Sequence, residues 1–257
     1  MIRNFVRSSA LYNGVRKPIV FIRSLQGAPE LVKRTSSVMD SVRLYPKWAA
    51  CFGDDISPLA LGLPWITFSA ISYLESNLKS SDLVFEYGSG GSTTFFSKYC
   101  KFVESVDHDQ EWETLVQKYL VENGISNVSL RFIPGTPTSE PMGDTSDSDC
   151  YRSLTYGTRY ADLTFENYVK SIDQFPDDHF DVVLVDGRAR PACFRRSERH
   201  VKPGGMIILD NSDRKTYTRI QDEAVSRGWR ALHLSGPTVC NRVLTTTSIF
   251  LKPDPGI

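Results

Sequence analysis

Four short apolar runs, each stopped by an acidic residue, limit what this chain can fold into. Leu83-Val84-Phe85 runs into Glu86, Phe102 to Val106 into Asp107, Phe180 to Val185 into Asp186, and Met206 to Leu209 into Asp210. Runs this short and rich in strand formers suit strands buried on both faces of a parallel sheet. Between them apolar residues recur at helical spacing. Ile66, Ala70, Tyr73, Leu74 and Leu78 predict a helix opening at Pro64 and stopping at Ser80-Ser81-Asp82. Trp112, Leu115, Val116, Tyr119 and Leu120 predict a second, ended by Asn123-Gly124. Ala189 to Val201 predicts a third, closed by Lys202-Pro203-Gly204-Gly205, and Ile220, Ala224 and Val225 a fourth, ending near Gly228. Val128 to Ile133 alternates as a further strand. Trp229 to Leu234 and Thr245 to Leu251 form the last two, close enough in sequence to make an antiparallel edge. Strand alternating with helix predicts an α/β fold, a mostly parallel sheet covered on both faces.

In such a sheet ligands lie at the carboxyl ends of the strands, where Glu86, Asp107, Asp186 and Asp210 fall. The first of these ends continues as Tyr87-Gly88-Ser89-Gly90-Gly91-Ser92-Thr93, a turn almost without side-chain bulk, before a helix over Thr94 to Tyr99. Glycine there admits a tight turn and lets backbone N–H groups approach a ligand closely. A carboxylate after a buried strand is costly without a task. One acid is explained as a helix cap, but four beside a glycine turn point to a shared site.

The turn departs from two phosphate-binding patterns. It lacks the Gly-Lys-Ser/Thr end of a P-loop, and Thr93 stands where a dinucleotide turn has its third glycine. Glu86, two residues before Gly88, repels a phosphate and suits an ammonium group. Asp107 is placed to accept hydrogen bonds from two ribose hydroxyls. A ribose joined to a cationic amino-acid tail describes S-adenosylmethionine (SAM).

Glu86-Tyr87-Gly88-Ser89-Gly90 resembles motif I of the class I SAM-dependent methyltransferases. Asp107 matches the acid after their second strand, Asp181 to Gly187 their fourth strand, and Lys202 to Met206 the approach to their fifth. The Gly-Ser-Gly-Gly-Ser-Thr turn, in an E-x-G-S-G-G-S-T motif, and Asp186 to Arg190 resemble a little-characterised subgroup. The resemblance covers residues 64–252. It implies a Rossmann-like, seven-stranded, mostly parallel sheet with an antiparallel last strand, preceded by an N-terminal helical extension over residues 1–63. It further implies that Glu86 to Gly90, with Ser92 and Thr93, hold the methionine part, Asp107 the ribose, His108 the adenosine side, and Thr136 the neighbourhood of the adenine. Asp186, at the end of the fourth strand, is the candidate base for the methyl acceptor, and Arg188 and Arg190 are candidates to orient an acidic substrate. Some O-methyltransferases of this fold bind a divalent cation; Asp186, Asp210 and Asn211 match those ligand places, and hard oxygen ligands suit Mg²⁺.

The expected activity is therefore SAM-dependent methylation of an oxygen on a small molecule or glycan. The competing readings are an NAD-dependent oxidoreductase and a binding or scaffold protein that kept the fold without catalysis. Thirty basic residues balance thirty acidic ones, so no global charge argues for nucleic acid. Five scattered cysteines without metal or redox spacing suit reduced thiols in a cytoplasmic compartment. Locally, Arg3, Arg7, Arg16, Lys17 and Arg23 precede the first acid, Glu30, interleaved with Phe5, Val6, Leu11, Ile19, Val20, Phe21 and Ile22. That pattern suits a packing arm or lid, a weak membrane-surface contact or a transit segment. The long irregular stretch from Pro134 to Tyr160, with Tyr151, Tyr156 and Tyr160, and the aromatics Tyr45, Trp48 and Phe52 of the arm are candidate pocket walls.

Overall fold

The computed structural model describes residues 10–52, 56–153, 160–254 and 256, with backbone alone over 10–15. Arg3, Phe5, Val6 and Arg7 of the basic arm, the Leu11 side chain and Tyr156 lie outside the described residues. Five helices come first: α1 (Ala10–Gln26), α2 (Glu30–Thr35), α3 (Val38–Arg43), α4 (Tyr45–Ala50) and α5 (Pro58–Leu61). Then follow α6 (Phe68–Asn77), β1 (Leu83–Tyr87), α7 (Gly91–Tyr99), β2 (Phe102–Asp107), α8 (Gln110–Glu122) and β3 (Val128–Phe132). A short ribbon of β4 (Thr136–Pro137) and β5 (Leu163–Thr164) leads to α9 (Glu166–Val169). The chain closes with β6 (Phe180–Val185), α10 (Arg190–Ser197), β7 (Val201–Leu209), α11 (Thr218–Ser226), β8 (Arg230–Gly236) and β9 (Thr245–Leu251).

Seven of these strands form one sheet in the order β3-β2-β1-β6-β7-β9-β8. Six run in one direction. β9 runs against them, inserted between β7 and β8, so the edge is antiparallel as the short final connection implies. The order reverses between β1 and β6, which opens a crevice at their carboxyl ends. Strand residues alternate between two cores, as the pleat requires. Val183, Val185, Ile207 and Leu209 face Phe194, Ile220 and Trp229 on one side. Val182, Leu184, Met206 and Ile208 face Ile71, Leu74, Phe95 and Phe96 on the other.

Several boundaries differ from the sequence expectation: α7 opens at Gly91 rather than Thr94, and two others differ more. Pro64 does not open a helix: the chain bends at Trp65 and Ile66 before Thr67, which bridges Thr238, and α6 starts at Phe68 with the Thr67 hydroxyl capping Ala70 N at 3.3 Å. Lys202-Pro203-Gly204-Gly205 is not a loop after a long helix. α10 ends at Ser197, and β7 already pairs at Val201 with Phe180; the register shifts before Met206 pairs with Val182, so these residues form an irregularity within the strand. The stretch read as irregular carries the β4–β5 pairing, Thr136 opposite Thr164.

The N-terminal helices complete the second core. Phe21, Trp48 and Cys51 are buried in it, and Trp48 packs against Phe21, Tyr45 and Phe52. The Trp48 indole donates to Asn241 O at 2.6 Å, so α4 also braces the β8–β9 connection. Lys17 donates to Ala49 O and Phe52 O. These aromatics therefore serve the core rather than roof a pocket. No described helix is long and apolar enough to cross a membrane.

The arm and the glycine turn meet at Gly91, where an added Cβ would lie 2.1 Å from Leu63 O and 2.4 Å from Pro58 O. Gly91→Ala is expected to destabilise the protein by about 3 kcal/mol in urea unfolding, because backbone on both sides must move. Gly124→Ala is the control. Gly124 has a φ of 65° but open space around its Cβ position, so only the left-handed backbone penalty of about 1 kcal/mol applies.

Candidate functional site

The crevice holds a cavity of about 640 Å³, within the range of roughly 300–1,000 Å³ common for small-molecule sites. Its floor is the turn after β1. Gly88 and Gly90 have φ of 100° and 149°, and a Cβ on either would stand 3.2 Å from Asp186 C or Trp112 Cζ2 respectively. The turn is tied down on three sides. Gly88 N donates to Val106 O, Ser89 N to Asp107 Oδ2 at 2.8 Å, and the Trp112 indole to Ser89 O at 2.8 Å. Gly90 N donates to the Thr93 hydroxyl at 2.9 Å, which caps α7.

Glu86, Tyr87 and Thr93 are not on the cavity surface. All three are fully buried. Tyr87 points into the core and donates to Val169 O. Glu86 lies beneath the turn, where Oε2 accepts from Thr93 at 2.6 Å and Ser105 at 2.7 Å, while Oε1 is buried with no partner among the described residues. Burial pushes the Glu86 carboxyl up to about 7 against the hydroxyl hydrogen bonds. Asp107, with Ser89, Ser92 and His108, does line the cavity. Burial also acts to raise Asp107, but its hydrogen bonds with His108, Asp109 and Ser89 outweigh that and hold it below the usual carboxylate range. His108 Nε2 accepts from Arg188 Nε at 2.8 Å, so the ring hydrogen sits on Nδ1, 3.3 Å from Asp107. Thr136 lies away from the cavity, exposed on β4; the ribbon pairing holds it there.

The wall opposite the turn is built from the ends of β6 and β7. Arg190 there reaches Asp186 Oδ1 at 2.7 Å, Asp210 Oδ2 at 3.7 Å, and the carbonyls of Asp186, Gly187 and Asp210. Burial raises both acids, Asp210 to about 7, with Arg190 opposing the rise. Thr247 donates to Asp210 Oδ1 at 2.8 Å. Asn211, at a φ of 52°, accepts on its Oδ1 a hydrogen bond from Arg214 Nη2 at 2.5 Å. The candidate Mg²⁺ ligands Asp186, Asp210 and Asn211 are thus each engaged by a guanidinium, and no cluster suited to a metal ion occurs among the described residues. The donor set does not fit a divalent cation. Arg188 and Arg190, the candidates to orient an acidic substrate, both line the cavity; Arg188 donates to His108 and lies over the face of Tyr160, and Arg190 pairs with the two aspartates.

Several lining residues went unread in the sequence. Trp112 has the spacing of a core helix residue, yet it falls in the first turn of α8, directly after Asp107. Arg214 follows Asn211 by three residues at the end of β7, a position that marks it in retrospect. Trp65, Asn241 and Thr245 come from the arm junction and the β8–β9 connection, which no local pattern ties to the glycine turn.

The fold is similar to that of solved methyltransferases. A methyltransferase structure from Geobacter sulfurreducens gives a TM-score of 0.52 at 12% identity over 82% of this chain and 96% of that one. A methyltransferase-like protein from Silicibacter pomeroyi gives 0.48 at 22% identity over 74% and 90%. SMU.1697c from Streptococcus mutans, in complex with SAH (S-adenosylhomocysteine), gives 0.49 at 11% over 76% and 98%. No family model matches the sequence, and no curated protein does. At these identities the likeness establishes the fold.

A buried carboxyl raised from 4.5 to about 7 contributes stability that is full below pH 4.5 and lost as pH rises through 7. Glu86→Gln removes the ionisation and keeps an oxygen for Thr93 and Ser105. Urea unfolding of the ligand-free protein between pH 4.5 and 8 is expected to show wild type losing up to about 3 kcal/mol relative to Glu86→Gln. Parallel profiles would show that Glu86 does not titrate there.

Proposed function

We propose that this chain is a SAM-dependent methyltransferase acting on an oxygen of a small molecule or glycan. The observation that carries the proposal is the buried Glu86 carboxyl under a glycine cradle, whose Oε1 makes no close hydrogen bond among the described residues and has only the nearby Ser92 hydroxyl acting on the group besides Thr93 and Ser105. It is an acceptor in search of a cation at the point where a phosphate-binding turn would present only donors. The solved methyltransferase on the same sheet supports the assignment at the level of fold.

The residues present fit the cofactor. Gly88 to Gly90 admit it closely, Glu86 favours the ammonium end from beneath, and Trp112 and His108 flank the cavity towards the nucleoside. Asp107 already accepts four local hydrogen bonds, two from Ser89 and one each from His108 N and Asp109 N. Asp107 would hold the ribose of a bound cofactor, and the Ser89 hydroxyl now on its Oδ2 would compete for that place. Bound in this cavity, SAM supplies an electrophilic methyl group on a sulfonium centre. The protein's task is then to hold the acceptor in line and take its proton. Asp186 is the base in this proposal, since its side chain is 19% exposed against 3% for Asp210. Arg190 opposes the rise that burial imposes on the Asp186 carboxyl and fixes its direction. Arg188, through His108 and Tyr160, orients the Asp107 side of the cavity rather than touching the acceptor.

Calorimetry with SAH and with NADH separates the readings. SAH is expected to bind, and Asp107→Ala to weaken it by about tenfold or more, the cost of a charge-assisted hydrogen bond pair. Transfer of label from SAM to an acceptor in cell extract is expected to be unaffected by EDTA, because arginines fill the cation places. NADH binding without SAH binding establishes the oxidoreductase instead; binding of neither leaves a scaffold.

A further inference from the structure

Behind the wall formed by Arg190 and Arg214 lies a second cavity of about 160 Å³, and both arginines line the two cavities. This volume is below that of a whole ligand site and suits one functional group. Its lining includes Arg152, Arg190, Arg214, Thr145, Ser153 and Thr216, and no carboxylate among the described residues. Arg190 is neutralised by Asp186 and Asp210. The other two guanidiniums make no ion pair among the described residues, although Arg214 acts on Asp186 at longer range. Arg214 donates to Asn211 Oδ1 and, at 3.4 Å, to the Tyr217 hydroxyl, both uncharged. Arg152 is 7% exposed and, among the described residues, donates to the carbonyls of Glu140, Pro141 and Ala161, while its Nε is buried with no partner there. Neither arginine has an acid within ion-pair distance among the described residues. Residues 154–159, which follow Ser153, contain no Asp or Glu.

A buried guanidinium with no acid at ion-pair distance, as Arg152 is among the described residues, is unfavourable; the half-buried Arg214, which also acts on Asp186 from the wall shared with the larger cavity, adds positive charge beside it, and together they call for an anion. Arginine forks match the oxygens of phosphate, sulfate and carboxylate groups, and the hydroxyls of Thr145 and Thr216 add donors. We infer that the second cavity is an oxyanion subsite that holds a phosphate, sulfate or carboxylate group carried by the methyl acceptor. The acceptor spans from the strand ends, where Asp186 stands, past Arg214 into this cavity. The inference rests on the proposed methyl transfer for its account of what the anion belongs to, but the subsite itself is testable without it.

Inorganic phosphate is titrated into the full chain by calorimetry, in chloride buffer of constant ionic strength, with and without SAH. Wild type is expected to bind one phosphate in the millimolar range or tighter, and Arg152→Gln at least about tenfold more weakly. SAH affinity is expected to stay within twofold in that variant, since Arg152 does not line the larger cavity. Should Arg152→Gln fail to fold, Thr216→Glu, at an exposed rim position, brings a carboxylate to the cavity and is expected to give the same loss. No phosphate binding in wild type, or unchanged binding in these variants, overturns the subsite. The labelled product from extract is then passed over an anion exchanger. Retention supports an acceptor-borne anion; a labelled product that flows through overturns that assignment and leaves a site for free anions. Failure of SAH to bind sinks the methyl transfer without touching the phosphate result.

Discussion

The Arg190 guanidinium holds the working end of the sheet together. It ties the carboxylates of Asp186 and Asp210 and three carbonyls at the ends of β6 and β7. Without it two buried acids would face each other at the switch point, each opposing the ionisation of the other. Breaking such a group by removing one partner costs several kcal/mol, more than most contacts in a protein of this size contribute. The backbone is bent to accommodate it: Ala189 and Asn211, which flank the clamp, both have left-handed backbone conformations. The same clamp decides the chemistry of the wall, since a side chain that never loses its charge stands between both aspartates.

Much of the sheet was legible in the sequence because buried parallel strands leave a compact signature. β6 and β9 match their apolar runs residue for residue, and the four acids fall at strand ends as the pattern required. The misread boundaries share a cause. Pro64 and the Lys202–Gly205 stretch carry local signals, a helix opener and a turn, that tertiary pairing overrides: Thr67 is held by β8 and its following loop, and Val201 by Phe180. Local propensity is a weak prior against such pairings.

The site was legible in its parts but not in its arrangement. Gly88, Gly90, Asp107, His108 and Asp186 do converge on one cavity. The sequence pattern marks Glu86 equally, yet its carboxylate lies beneath the floor rather than on it. Side-chain pairing carries no sequence period, so nothing in the string reveals that Arg188 bonds His108, eighty positions away. Arg152 and Arg214 escaped for the same reason: an arginine's meaning depends on whether an acid stands beside it, and that is a fact of three dimensions.

The close approach at Gly91 has a practical side for anyone handling the protein. The motif helix α7 rests directly on main chain from α5 and Leu63, while Phe95 and Phe96 share a core with Phe21 and Trp48. A fragment trimmed to residue 64 would carry every motif residue and still lose the platform on which the turn is seated. It would also bare a broad aromatic face to solvent and to other copies of itself. For expression, crystallisation or fusion work, the N-terminal helices are scaffolding for the site and belong in whatever is made.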